Sequence, residues 1–269
     1  MASMNDNRAK IAGFYIGSGA CALLGFLMAG CVHHKEFSGA EQRTLATPPA
    51  FLTGPMALLL TNANSYNAQV VFQTPTAWGS TQALRGDLTC AGSKLAFQPE
   101  LPPESRKNTQ GTMVFVWDTV QGSGYALNNA LQGYAPYSGN ARFTNVVATK
   151  QNLSSERIAG RECQEEAAMA LANDGSTNLL QVWRAAELRG FPVRISSASV
   201  ATAGVLTITR IQFGRPAEFL TSQEGFTKYE SPDAMVTELV ARQHNFSRRE
   251  GASFGYPANI ERSRVGQPY

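Results

Sequence analysis

From residue 51 onward, apolar and polar positions alternate in short runs separated by turn residues, the period-two signature of half-buried strands. Met56 to Leu60 is an apolar run and Asn62-Ala63-Asn64-Ser65 a turn. Tyr66 to Gln73, with Tyr66, Ala68, Val70 and Phe72 alternating, is expected to pair back on that run as a hairpin. Leu84 to Cys90 and Lys94 to Gln98 form a second hairpin around Ala91-Gly92-Ser93, and the prolines of 99–110 mark a loop. Met113 to Thr119 is the cleanest strand, with Met113, Phe115 and Trp117 on one face and Val114, Val116 and Asp118 on the other. Tyr125 to Leu127 returns from it. Asn129 to Tyr137 reads as an aromatic loop or short helical turn, and Phe143 to Thr149 as a further strand.

The second half repeats the style. Gln164 to Asn173 is rich in Ala and Glu and favours helix by propensity. The turn Asn173-Asp174-Gly175 and the matching run Asn178 to Arg184 make it a strand instead. Phe191 to Ile195 is another strand after a polar loop at 185–190. Val205 to Phe213 alternates, with Val205, Thr207, Thr209, Ile211 and Phe213 on one face and Leu206, Ile208 and Arg210 on the other. The Leu206-Ile208 face is expected to point inward, as is Met113-Phe115-Trp117. Phe219 to Tyr229 is an irregular edge segment. Ser231-Pro232-Asp233 caps a short helix over 234–242, with Met235, Val236 and Leu239 as its apolar stripe. The arginines, glycines and serines of 246–269 describe a disordered basic tail. The pattern as a whole is mainly β.

The N-terminus has a different grammar. Arg8 and Lys10 precede an apolar run from Ile11 to Gly30, the layout of a secretory signal. Met28-Ala29-Gly30-Cys31 resembles the bacterial lipobox, in which the cysteine takes a diacylglycerol and the chain is cut just before it. An uncleaved anchor and a plain secretory signal are the alternatives, and the glycines at 13, 17, 19, 25 and 30 weaken the anchor. The expected organisation is therefore a lipoprotein signal over 1–30, a flexible tether over 31–50, an antiparallel β domain over 51–245 and the tail over 246–269. The localisation that follows is the bacterial cell envelope, on the periplasmic face of the outer membrane, with acylated Cys31 as membrane anchor.

Composition narrows the chemistry. A hydrophobic content of 43% suits a real core, and a net charge of +3 over 269 residues is far from the clustered basic footprint of a nucleic-acid binder. Of the four cysteines, Cys90 and Cys163 remain once the signal and the anchor are set aside. In an oxidising compartment they could form a disulfide, or both could be buried small hydrophobes. No histidine lies between Lys35 and Gln243, so a histidine-based catalytic or metal site has nothing to build with there; His33 and His34 read as tether residues. No catalytic residue, metal site or cofactor is expected. Asp87 and Asp118 could flank a cleft, but turn and edge roles suit them better. Phe115, Trp117, Tyr134, Tyr137, Trp183, Leu206 and Ile208 could line an apolar ligand site, with core packing as the plain alternative for the first two.

One stretch carries a resemblance. Ile158-Ala159-Gly160 with Cys163, Gln181 to Val193, Leu206-Thr207-Ile208-Thr209, Gly214 to Leu220 and Gly225 to Tyr229 follow one another in an order that resembles a broad set of bacterial envelope proteins. These in turn look like the lipoprotein carrier and receptor proteins of the Lol pathway (LolA and LolB). The resemblance implies one large curved antiparallel sheet, a half-open barrel with a few covering helices around an apolar hollow that takes acyl chains. Two functions follow: a lipid-anchored envelope protein whose sheet binds lipid or another apolar ligand, or a structural lipoprotein that docks an envelope partner.

Overall fold

The computed structural model describes residues 46–61, 65–76, 79–100, 112–139, 142–151, 153–197, 203–214 and 223–253. Cys31 and the whole signal lie outside them, as do Trp78, residues 101–111 of the proline-bearing loop, 215–222 and 254–269.

Strands β1 (Tyr66–Pro75), β2 (Thr81–Ala91), β3 (Lys94–Pro99), β4 (Met113–Asp118), β5 (Ser123–Asn128) and β6 (Gly133–Ser138) form one antiparallel meander. Strands β9 (Arg161–Ala172), β10 (Thr177–Ala185), β11 (Phe191–Ser197) and β12 (Gly204–Phe213) form a second. Both β7 (Phe143–Lys150) and β8 (Ser155–Ile158) lie along the far side of β9. The meanders join where β12 runs antiparallel to β1, with Phe72 opposite Leu206 and Val70 opposite Ile208. Strand β13 (Thr227–Lys228) adds to β6 in parallel, giving one open sheet of 13 strands among the described residues. This is the mainly β, curved, unclosed sheet that the pattern and the resemblance imply.

Strand β9 settles the conflict between propensity and pattern. Ala168 and Ala170 are buried beside Leu180 and Val182 of β10, so their small side chains meet the core where a helix would have turned half of them outward. Its hairpin with β10 turns at Gly175, φ +81°, where Asp174 accepts a hydrogen bond from the Ser176 amide at 2.9 Å.

Strand β12 departs from simple alternation. The register against β1 slips between Gln69 and Val70, so that Gln69 faces Arg210 and Val70 faces Ile208, and Thr209 is the extra residue of a β-bulge. Beyond the bulge the faces exchange. Ile211 and Phe213 come onto the side of Leu206 and Ile208, and Arg210 goes to the outside. The inward direction of Leu206 and Ile208 holds; the placement of Ile211, Phe213 and Arg210 from strict alternation does not.

Three α-helices accompany the sheet among the described residues. Met56 to Leu60, the apolar run expected to pair with the strand after it, lies in helix α2 (Met56–Thr61), which follows the short helix α1 (Ala50–Thr53). Leu52, Met56, Leu59 and Leu60 are all buried, the i, i+4, i+7, i+8 pattern of one helical face continued across Gly54-Pro55. The apolar run therefore does not pair with β1. Packing begins before residue 51: Ala46 and Pro49, within the expected tether, are buried. Helix α3 (Pro232–Ser253) starts as the sequence indicates, with the Ser231 hydroxyl accepting the Ala234 amide at 3.2 Å, and buries Met235, Val236 and Leu239. It runs past residue 242 into the stretch read as a basic tail. Gly133 of β6 makes room beside it, since a Cβ there would come within 2.6 Å of the Tyr229 ring.

Candidate functional site

The concave face is built by alternation. Ala68, Val70 and Phe72 of β1, Leu88 and Cys90 of β2, Leu95 and Phe97 of β3, and Met113, Phe115 and Trp117 of β4 all point into it. Leu180 and Val182, Ile195, and Leu206 and Ile208 continue the lining from the second meander. All are buried. Four of the residues expected to line a ligand site, Phe115, Trp117, Leu206 and Ile208, are thus brought together in one apolar surface.

That surface is covered by the chain itself. Phe51 of α1 packs on Phe72 (ring centroids 5.1 Å apart) and edge-on to Phe97 (5.2 Å). Leu52, Met56, Leu59 and Leu60 are buried in the same cluster, and α3 adds Met235 and Leu239. The phenol of Tyr66, at the start of β1, donates to the Leu60 carbonyl at 3.0 Å and so ties the end of α2 to the sheet. At the rim between α1–α2 and β4, beside Thr53, Ala57, Trp117 and Phe143, a gap of about 10 Å³ remains, too small for a ligand.

Tyr134 and Tyr137 do not share a loop. Both lie in strand β6 and alternate across it. Tyr137 faces inward, stacks on Trp117 with centroids 5.8 Å apart, and donates to the Val116 carbonyl at 3.0 Å. Burial holds its phenol well above the usual tyrosine range. The ring lies over Gly124, where a Cβ would come within 2.9 Å of it. Tyr134 faces outward with Tyr125 and Phe226, over a small second cluster of Ala96, Val114, Val116 and Leu127. Trp183 also misses the hollow. It lies on the outer face under the Arg194 guanidinium, 5.6 Å from the ring centroid, and Arg194 pairs with Glu156 at 3.0 Å.

The two cysteines are free thiols. Cys90 is inside, between Tyr66 and Leu95 in the cross-strand rows; Cys163 is on the other face, in a cluster with Ile158, Ala185 and Val193. A sheet separates them, so the disulfide does not form. Burial pushes the Cys90 thiol up to about 11 and raises that of Cys163, which keeps both protonated and weakly nucleophilic.

Asp118, Glu165 and Glu166 serve structure. Asp118 accepts the amides of Val120 and Gln121 at 2.9 and 3.1 Å and so closes the β4–β5 turn. Glu166 pairs with Arg184 at 2.6 Å and Glu165 accepts from the Ser154 hydroxyl. Among the described residues no three His, Cys, Asp or Glu side chains converge on a metal site. The residues that sequence reasoning missed are Phe51, Leu52, Met56, Leu59 and Leu60. Their helical spacing and Pro55 just before Met56, the favoured first position of a helix, were the available signals.

No protein-family profile and no curated protein matches the sequence. Among solved structures the chain is similar to PNGF-II, with 12% identity and a TM-score of 0.36, over 67% of this chain and 33% of that one. This chain thus spans about a third of the length of PNGF-II. It is also similar to a LolA superfamily protein from Nitrosomonas europaea, with 7% identity and a TM-score of 0.32, over 65% of this chain and 98% of that one. A third is MucB, solved in complex with MucA(peri), with 12% identity and a TM-score of 0.25, over 62% and 56% of the two chains.

Proposed function

We propose that this chain is a lipid-anchored protein of the bacterial envelope, held by an acylated Cys31, and that it works by docking an envelope partner. The observation that carries this reading is the filled hollow: α1 and α2 occupy the concave face where a carried acyl chain would need an open apolar void. Outside, Val147, Met169 and Leu179 stand in one cross-strand row over β7, β9 and β10, with Leu179 66% and Val147 43% exposed. They adjoin β7, whose outer edge pairs with no strand among the described residues. An apolar row beside an open edge suits a partner that adds a strand there. The test is a titration of the chain from residue 32 onward with a fluorescent fatty-acyl probe. No saturable binding is expected; saturable binding that Ile208→Glu abolishes would replace docking with lipid carriage.

Lipid binding remains the second reading, and a specific observation favours it. The filler is a pair of short helices, the first without a side-chain cap at Pro49, over a lining that is apolar throughout. With α1 and α2 displaced, Phe115, Trp117, Leu206 and Ile208 would form an acyl-binding trough. In that case Phe51→Asp, which loosens the filler, strengthens probe binding.

A further inference from the structure

The outer face of a one-sided sheet is ordinarily polar, yet the outer cluster of Val114, Val116 and Leu127 under Tyr125, Tyr134 and Phe226 is not. Beside it lies a groove of about 580 Å³, within the size class of small-ligand sites. Its floor is one cross-strand row, Val116, Tyr125 and Pro136, with Tyr134 next to it. Lys94 stands at one end. Lys228 stands at the other, paired with Tyr134 in the parallel β13–β6 ladder and so on the same face. From β3 through β4, β5 and β6 to β13 the groove crosses four strand spacings, about 19 Å at roughly 4.8 Å a step.

We propose that this groove binds an acidic saccharide chain. The tyrosine and proline rings offer flat apolar surfaces of the kind on which the C–H faces of pyranose rings stack, and each tyrosine keeps a polar end. Neither the Tyr125 nor the Tyr134 hydroxyl has a hydrogen-bond partner among the described residues, so both are free for a hydroxyl-rich ligand. Neither Lys94 nor Lys228 pairs with a carboxylate among the described residues. Asp118, the cross-strand neighbour of Lys94 in the groove, spends one oxygen on the turn amides of Val120 and Gln121, so that two cations stand against one carboxylate there. The two ammonium groups therefore select carboxylate- or sulfate-bearing sugars over neutral ones. A peptide fits less well, because the groove runs across the strands, whose amides already bond one another, and offers no open edge for main-chain pairing. The groove is on the face opposite the hollow and involves neither α1–α2 nor β7, so it stands whether or not the docking reading does.

The experiment is calorimetric titration of the full chain with tetragalacturonate, maltotetraose and tetraglutamate. Tetragalacturonate is expected to bind saturably and the other two at least about threefold more weakly. In the double variant Lys94→Gln/Lys228→Gln, at exposed positions that cost no packing, tetragalacturonate should fall to the level of maltotetraose. Tyr125→Leu should weaken both sugars about tenfold with the near-ultraviolet circular dichroism of the tryptophans retained. Absence of tetragalacturonate binding overturns the proposal, as does binding that the lysine variant leaves unchanged. Tetraglutamate binding as tightly as the sugar would assign the groove to acidic peptides instead.

Discussion

Phe51 is the residue on which the interior turns. Its ring fills the space between Phe72 and Phe97, and the rest of α1 and α2 follows it into the hollow. Phe51→Ala removes those contacts and leaves a cavity that the flanking strands cannot close. It should destabilise the fold by about 3–5 kcal/mol, measured as a lower urea midpoint at unchanged slope. Cys90 behaves in the opposite way to a redox cysteine. With its thiol pushed up to about 11 by burial, it should resist iodoacetamide at pH 8 in the native state and react only after unfolding. Its pH linkage has a definite sign. The native state holds the thiol proton more tightly than the unfolded chain, whose thiol titrates near 9.0. The stabilisation is complete below pH 9 and is lost as pH rises from about 9 to about 11. Cys90→Ala should flatten that part of the stability profile, and a profile as steep as wild type would refute the assignment.

At the scale of elements, the β-bulge at Thr209 decides which side chains of β12 enter the core. Without it, Arg210 would follow Ile208 inward and Ile211 would be turned to solvent. Phe213, 44% exposed, packs edge-on to Tyr66 (6.3 Å) and Phe191 (5.6 Å) only because the bulge restores its face. Deleting Thr209 should therefore cost more than deleting a loop residue: either the register of Tyr66–Gln69 is lost or Arg210 is buried without a partner. The expected readout is loss of the cooperative thermal transition, whereas deletion of Gly79 in the β1–β2 turn should leave one. Strand β9 carries the complementary lesson. Its alanines favour helix locally, but they lie between β7 and β10, and tertiary pairing overrides the preference.

On the scale of the whole molecule, the sheet is held shape-stable by the β1–β12 pairing, which joins residues about 140 positions apart in sequence, as in the Thr209 hydroxyl donating to the Gln69 carbonyl at 3.1 Å. Such a closure is entropically costly until formed, so folding in the millisecond-to-second range of non-local β proteins is expected. The proposed anchor belongs to this scale too. Mass spectrometry of protein extracted from its native membrane should give Cys31 as the acylated mature N-terminus, and Cys31→Ser should leave an unprocessed or soluble chain. A wild-type N-terminus at any other residue would remove the acylated anchor.

Much of this was legible in the chain. The alternation of Met113-Phe115-Trp117 and Leu206-Ile208 named the inward faces, because period two leaves a strand only two choices. The Asn173-Asp174-Gly175 turn identified β9 against its own helix propensity, and Ser231 announced α3. The lapses share a cause. Met56 to Leu60 is apolar at every position, so its run alone carries no period; the helical spacing emerges once Leu52 is counted with it, and only the folded chain shows these helices filling the hollow. One extra residue at Thr209 inverts a face without leaving a mark in composition. Tyr134 and Tyr137 looked like companions in a loop until strand pairing put them on opposite sides of the sheet, and the same pairing parted Cys90 from Cys163. Local pattern sets which face of an element is apolar; which elements meet, and whether a hollow stays empty, depends on contacts between residues far apart in sequence, and only the folded chain makes those.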